Sequence, residues 1–541
     1  MQRDIARLTA CTFDVLVVGG GVCGLTIAAD AAQRGLAVAL VERSDFGSGS
    51  SFNHLRTIHG GLRYLQTFDV RRARESVRER RFLARMASHA VQPLPFVLPL
   101  GRSVTRGKLA MRAGLALDAL VGADRNRRVP ASQHLPFGHV VSRQEALERF
   151  PGLPRQGLTG AAVWYDYVTT EPDRLTFSWA VAAHERGAAI ANYVEALAPI
   201  LTGRAVRGVR AVDCRGGHEL EIAAHLTVNA TGAVWNRLAS VVGGPGPIPL
   251  LKALNLVTIR EAGGTAVGGR SPAGRHFFLV PWRNRALFGT WESSRPCPPE
   301  GVEPTEAEVS SFIAELNLTF PSLDLTMADV TLVHRGVVPA AVRRSGQIAL
   351  ASRELVYDHG TGSSGIEGLI SVAATKYTTA RAVAERVVDL VIKKLGRPVV
   401  PCRTADTPLP GGDIVDVAAI IAEAKREHGT LLSTDSIAHL VSAYGSRYRA
   451  PLALATGRPE WRARVAEQSP VIAAQLVHAV RHEMALTLGD AVLRRTPLGA
   501  LGYPGDAAAR QAADLVGAEL LWSEGTKREE IERLRRFYVL R

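Results

Sequence analysis

The stretch FDVLVVGGGVCGLTIAADAAQRGLAVALVER, residues 13–43, constrains the fold more than any other part of the chain. Phe13 to Val18 is a short, largely apolar run, as expected of a strand buried on both faces. Gly19, Gly21 and Gly24 follow as G-x-G-x-x-G, and a helix carrying the small residues Ala28, Ala29, Ala31 and Ala32 runs to Gly35. A second strand, Ala37 to Val41, delivers Glu42 at its carboxyl end. One glycine makes the tight turn, the second admits a pyrophosphate, and the third lets helix and strand pack closely. The helix N-terminus presents N–H groups to the anion, and an acid about 20 residues on accepts ribose hydroxyls. Strand, turn, helix, strand and acid in this order predict a dinucleotide-binding domain.

Later segments read as the rest of an α/β, Rossmann-like unit. LTFSWAVAAHERGAAIANYVEALAPI is helix then strand, LEIAAHLTVNATG is a strand ending in the Ala230-Thr231-Gly232 turn, and GLISVAATKYTTARAVAERVVDLVIKKLG is a strand or turn leading into a long helix. Between them, NLVTI, HFFLVPW and ALFGTW predict an inserted β-sheet domain. The expected division is one oxidoreductase unit over 1–400 and an all-helical C-terminal cap domain over 405–541, beyond a Pro- and Gly-bearing link. Within the unit, about 10–95, 150–245 and 350–400 bind the nucleotide, and about 96–149 and 246–349 form the substrate domain.

At 541 residues the chain exceeds what one core supports, and it is 46% hydrophobic with 21% charged residues. It contains no apolar run of membrane-spanning length and no signal-peptide core ahead of the first strand, so a cytoplasmic protein is expected. Cys11, Cys23, Cys214, Cys297 and Cys402 are scattered without a C-x-x-C pair, which argues against a disulfide framework and against a metal site. The net charge of +14 is dispersed and carries no nucleic-acid signature. It suits an anionic substrate, or peripheral contact with the inner face of a membrane through KLAMRAGLALDALVG, which also reads as an ordinary packed helix.

Six motifs lie in family order: the nucleotide turn, IHGGLRYL, NATGAVW, LVPWRNRALFGTWE, TKYTTAR and AVRHEMALTLGDAVLRRTPLG. In these, over nearly its whole length, the chain resembles the FAD-dependent glycerol-3-phosphate dehydrogenases. The resemblance implies a flavin-binding domain, a sheet-based substrate domain and a helical cap, with hydride passing from an alcohol carbon to FAD. It implies cofactor contacts from Arg43, Ser50, Ser51, His59, Gly60 and Gly61, from Val194, and from Ala230, Thr231, Gly232 and Trp235. Lys376, Tyr377 and Thr378 join that set, and Arg63 and Tyr64 are expected on the substrate side of the flavin.

The departures cluster in the substrate pocket. Where the family reads lysine-glycine-serine-histidine this chain has Lys252-Ala253-Leu254-Asn255, and asparagine cannot act as a base. Val338 stands where an arginine is expected to meet the substrate's anionic head. Thr290-Trp291-Glu292 replaces threonine-threonine-aspartate, and Ala374-Thr375 replaces the glycine pair before Lys376. Arg63, Arg353 and Lys376 still supply cations. His54 takes a position where relatives carry small hydroxyl residues; packing, a base role and a covalent flavin link are all open to it, while His59 is expected to shape its loop.

The expected activity is oxidation of a secondary alcohol of a phosphorylated or polar polyol-like substrate, with quinone or oxygen reoxidising the flavin. A flavin oxidase of specialised metabolism acting on another alcohol or an amine is the first alternative, and a flavin-binding protein without catalysis the second. Oligomeric state is left open.

Overall fold

The computed structural model describes residues 1–540 except 104–106, 151, 154, 244–245, 344–345 and 363–364. The first sheet runs, from one edge, Leu355–Asp358, Leu369–Ala373, Glu219–Asn229, Phe13–Val18, Val38–Glu42 and Ala189–Asn192. The first of these strands is antiparallel to its neighbour and the remaining pairings are parallel. A hairpin, Val194–Thr202 with Ala205–Asp213, extends the Glu219–Asn229 strand on its N-terminal half. Parallel strands buried on both faces need covers on both sides. Helices Val22–Gln33, Pro172–Glu185 and Ala380–Lys394 supply one, packing Leu25, Phe177 and Val387 onto Val15, Val17, Leu40 and Val228. The hairpin supplies the other through Val209 and Ala211 against Leu16, Val18 and Val41.

The second sheet is larger and mostly antiparallel. Its path is Ile348–Leu350, Val330–Val342, Leu250–Thr258, Arg285–Glu292, His276–Trp282, Ala266–Arg270, Val91–Leu100, Gly160–Thr169 and Thr57–Ile58, with His139–Ser142 beside Gly160–Thr169. Helix Glu306–Thr319, started by a Thr305/Glu308 capping box, lays Phe312 and Leu316 on Leu254, Leu256 and Phe288. Gly160–Thr169, expected with the nucleotide-binding segments, pairs in this sheet instead, opposite Val91–Leu100. Pro93, Pro95 and Pro99 disguise the latter strand. They share one parity, so their missing N–H groups all lie toward the side where only Phe96 and Val97 pair, with Ala266 and Val267.

Beyond the link the chain is helical, from Val417–His428 to Glu524–Arg536, around its own core of Leu440, Val477, Leu488 and Val516. The fold is thus the expected one: a Rossmann-like sheet, an inserted β-sheet part and a helical C-terminal part. No disulfide links the five cysteines, and among the described residues no helix is long and apolar enough to cross a membrane.

Candidate active site

The glycine turn is built as the spacing demands. Gly19 has φ +110°, and a side chain there would put a Cβ 2.6 Å from the Ala230 carbonyl oxygen. At Gly24 a Cβ would fall 1.9 Å from the Gly19 oxygen, so strand and helix touch through glycine alone. Gly21 caps the Val22–Gln33 helix, whose Val22 N–H donates to Ser51 Oγ at 2.9 Å. Glu42 accepts from the N–H groups of Gly20 (2.6 Å) and Ser44 (2.8 Å), which leaves each carboxylate oxygen a further lone pair for a hydroxyl. Burial pushes this carboxyl up and those two N–H groups pull it back.

The Ala230 N–H donates to Val18 O (2.8 Å), so the Ala230-Thr231-Gly232 turn stands directly beside Gly19. Thr231 is fixed by Asn229 Oδ1 (2.7 Å), and space around Gly232 is open. Trp235 is fully buried with its Nε1 unpartnered, and Val194 is also fully buried. Arg43 is exposed beside the cradle. A strand-turn-helix backed by glycine contacts, an acid and an orphaned indole N–H fits a bound dinucleotide.

The IHGGLRYL loop is stapled from below. Asp166 accepts from Gly60 N–H at 2.6 Å and pairs with buried Arg80. Gly61, at φ +81°, starts the short helix Leu62–Leu65. That turn sets the Tyr64 ring as a platform for three cations: Arg72 stands 4.1 Å from its centroid, Lys376 Nζ 4.9 Å and Arg63 5.1 Å. Burial and the Arg63 and Arg72 guanidiniums draw Lys376 down to about 7, and its ammonium donates to Ser76 Oγ. Burial, Lys376 and Arg63 hold His59 well below the ordinary imidazole range. The nearby acids are already engaged: Glu75 by Arg386 at 2.7 Å and Asp166 by Arg80. Arg353 sits at the rim, with its side chain 77% exposed and 3.6 Å from Asp69.

The departures from the family pattern at Asn255, Thr290–Glu292 and Val338 fall on the neighbouring sheet, while Ala374-Thr375 follows strand Leu369–Ala373 of the first. Asn255 is fully buried; its Nδ2 donates to Asn53 Oδ1 and its Oδ1 accepts from Thr290 Oγ1, both at 2.8 Å. Asn53 in turn donates to Ala253 O at 2.8 Å, and Ser50 Oγ to Val337 O at 2.6 Å, so this loop is tied to two strands of the large sheet. Gly336 allows that approach, since a Cβ there would meet Ser50 Cα at 3.0 Å. Lys252 points elsewhere, to Glu308 at 2.9 Å. Val338 is half-buried opposite Leu251. The Glu292 carboxyl is raised by burial, partly offset by Arg275, Arg63 and Arg343.

His54 stacks on Tyr377 with ring centroids 4.7 Å apart, and its Nδ1 accepts from Arg56 N–H at 3.2 Å. Its Nε2 is buried without a partner, and burial with Arg56 keeps the ring neutral. Tyr377 bonds Thr176 at 2.9 Å, and buried Thr378 lies in the same turn. Sequence reasoning overlooked Arg56, which is fully buried between Phe52 and Trp282 and bonded to His334 at 2.9 Å. It also overlooked Arg72 and Ser76, whose helix, Val70–Met86, carries Arg72, Ser76 and Arg80 on one i, i+4, i+8 stripe.

A nucleotide cradle on a parallel sheet, with Arg63, Arg72 and Lys376 gathered on the Tyr64 ring, defines a dinucleotide-dependent oxidoreductase. The family described as FAD dependent oxidoreductase matches residues 14–376, and the C-terminal domain of alpha-glycerophosphate oxidase matches 402–527. A glycerol-3-phosphate dehydrogenase of Synechocystis is 32% identical, with 92% of this chain and 91% of that one covered. Another, of Mycobacterium leprae, is 33% identical over 96% and 86%. The solved glycerol-3-phosphate dehydrogenase of Bacillus halodurans, complexed with FAD, superposes with TM-score 0.78 at 26% identity, covering 99% of this chain and 96% of that one. The chain belongs to the FAD-dependent glycerol-3-phosphate dehydrogenase family and is an FAD-dependent oxidoreductase.

Proposed function

We propose that this enzyme oxidises a secondary alcohol on a polar, anionic polyol-like molecule, as its relatives' name indicates, in a pocket rebuilt around the anion. The observation that carries the reading is the convergence of Arg63, Arg72 and Lys376 on Tyr64. Three cations around one ring repel one another, and an anionic substrate relieves that repulsion. FAD, when bound, takes up the two electrons and the hydrogen leaving the substrate carbon. Gly19, Gly21, Gly24, Glu42, Ser51 and the Ala230–Gly232 turn hold its nucleotide portion. His59, Gly60, Gly61, Trp235, Tyr377 and Thr378 belong to the same binding surface.

Arg63 and Arg72 orient the anionic group. Lys376, poised near neutrality, receives the hydroxyl proton at Nζ. Asn255 positions the Asn53 loop through its two hydrogen bonds. His54, neutral with one nitrogen engaged, packs against Tyr377. Anaerobic mixing of the FAD-loaded protein with glycerol 3-phosphate, other polyol phosphates and uncharged polyols tests this by visible flavin absorbance. Bleaching by phosphorylated polyols is expected; bleaching by uncharged polyols alone would contradict the reading.

Val338 and Asn255 favour a second reading, an amine substrate, because one removes a cation from the pocket and the other removes the imidazole that would take a hydroxyl proton. Bleaching by amines and by no polyol would select it. Reoxidation falls to quinone or oxygen. The Lys108–Val121 helix exposes Leu109 (79%) and Leu120 (76%), and Phe68 close by is 82% exposed; we assign these to peripheral membrane contact. Cosedimentation with anionic vesicles, lost in Leu109→Asp, checks that assignment.

A further inference from the structure

A cavity of about 240 Å³ lies between the Pro172–Glu185 helix and the C-terminal helices Thr434–Tyr444 and Ala473–Glu483. Its lining includes His89, Arg174, Tyr444, Arg447, His478 and Glu483. The volume is several times the ~30 Å³ that one water occupies. The chemistry of its walls is lopsided, because every carboxylate oxygen is already taken. Glu483 accepts from Arg174 at 2.6 Å through Oε2 and faces His478 Nε2 at 3.5 Å through Oε1. Both oxygens of Glu185, also on the lining, are held by Arg447.

The unmet groups are those that can donate. His89 Nδ1, His478 Nδ1 and the Tyr444 hydroxyl have no partner, in residues only 8%, 8% and 4% exposed. Native structures leave few such buried atoms unmet. Gln475 approaches Tyr444, but its amide is engaged by His439 (3.2 Å) and by Ile472 N–H (3.1 Å). Arg174, 4.1 Å from the Tyr444 ring centroid, adds a guanidinium at the same wall. Among the described residues no group of three His, Cys, Asp or Glu side chains is disposed to hold a metal ion. A ligand that completes this wall must bring acceptors.

We propose that this interdomain cavity is a second binding site, separate from the active site, for a small dissolved oxyanion, a carboxylate or a phosphate group. Tyr444 donates through its hydroxyl, and His89 and His478 through Nδ1. The bound anion bridges the helix that backs the nucleotide domain and the helical C-terminal part, so its occupancy tightens their contact.

Titration calorimetry on the FAD-loaded full chain tests the site, with inorganic phosphate and malonate as probes and glycerol as the neutral control. Binding of at least one anion and not of glycerol is expected. Tyr444→Phe, which removes one donor and keeps the ring, should weaken it about tenfold, equivalent to about 1.4 kcal/mol. His478→Asn should weaken it likewise, and both variants should keep the wild-type rate of flavin reduction. An Arg63→Ala protein, altered only in the active site, should retain the binding. No binding of either anion, or binding lost in Arg63→Ala and unchanged in Tyr444→Phe and His478→Asn, would overturn the proposal.

Discussion

Lys376, facing Tyr64, is drawn far from the ordinary lysine range by burial and by the Arg63 and Arg72 guanidiniums. A lysine drawn to about 7 is half neutral at neutral pH, and only the neutral amine can take a proton. The rate of flavin reduction should therefore rise with pH through about 7 and level off above it. Lys376→Met should lower that rate by about 10²- to 10⁴-fold and abolish the inflection, read by stopped-flow absorbance across pH. Arg63→Ala acts on the same amine from outside. With one neighbouring cation gone, the Lys376 value should climb and the inflection move to higher pH, while KM for an anionic substrate rises. An unmoved inflection in Arg63→Ala would show that the two side chains do not sense each other.

At the scale of elements, what the sequence reveals depends on how local the physical demand is. The glycine turn was legible because each glycine answers to a contact within its own strand-turn-helix. Gly24 fails as alanine because Gly19 O lies in the way, whatever the rest of the fold does. Gly24→Val should therefore lose most of its bound FAD and unfold at least ~1–3 kcal/mol more easily, measured as flavin per protein and as a urea midpoint. Val91–Leu100 was not legible as a strand of the larger sheet, because its prolines are tolerated only through an edge that the sheet order creates. Nor was the Asn53–Asn255–Thr290 chain, whose members are brought together by the register of Leu250–Thr258 against Arg285–Glu292. Asn255 could be recognised as a lost base, but its two partners are a tertiary fact. Helix Val70–Met86 carries its stripe openly, yet nothing local says that Lys376, 300 residues from Ser76, will complete it.

For the molecule as a whole, the decisive contact is between the nucleotide loop and the C-terminal helices. Asp45, three residues past Glu42 and fully buried, accepts from Asn192 Nδ2 (3.0 Å), Arg494 Nε (2.7 Å) and both terminal nitrogens of Arg495 (2.8 and 2.7 Å). This is what the DAVLRRTPLG motif does here: its two arginines grip the loop that follows the ribose-binding acid. Removing the carboxylate strands a fully buried Arg495, so Asp45→Ala should cost about 3–5 kcal/mol. Faster proteolysis within 413–540, together with weaker FAD retention, would report release of the cap from the cradle. The pH dependence follows from the sign of the shift. Although burial opposes it, the Arg495 and Arg494 guanidiniums hold the Asp45 carboxyl below its usual range, so the unfolded chain takes up this proton first. The stabilisation is complete above the ordinary aspartate value of about 4 and is lost as pH falls below it. Wild-type urea midpoints should thus fall steeply on acidification from about pH 5 to 3, and Asp45→Asn, already less stable at neutral pH, should show a shallower fall. Parallel slopes in the two proteins would mean that other buried carboxylates, such as Glu483 with Arg174, govern the acid transition.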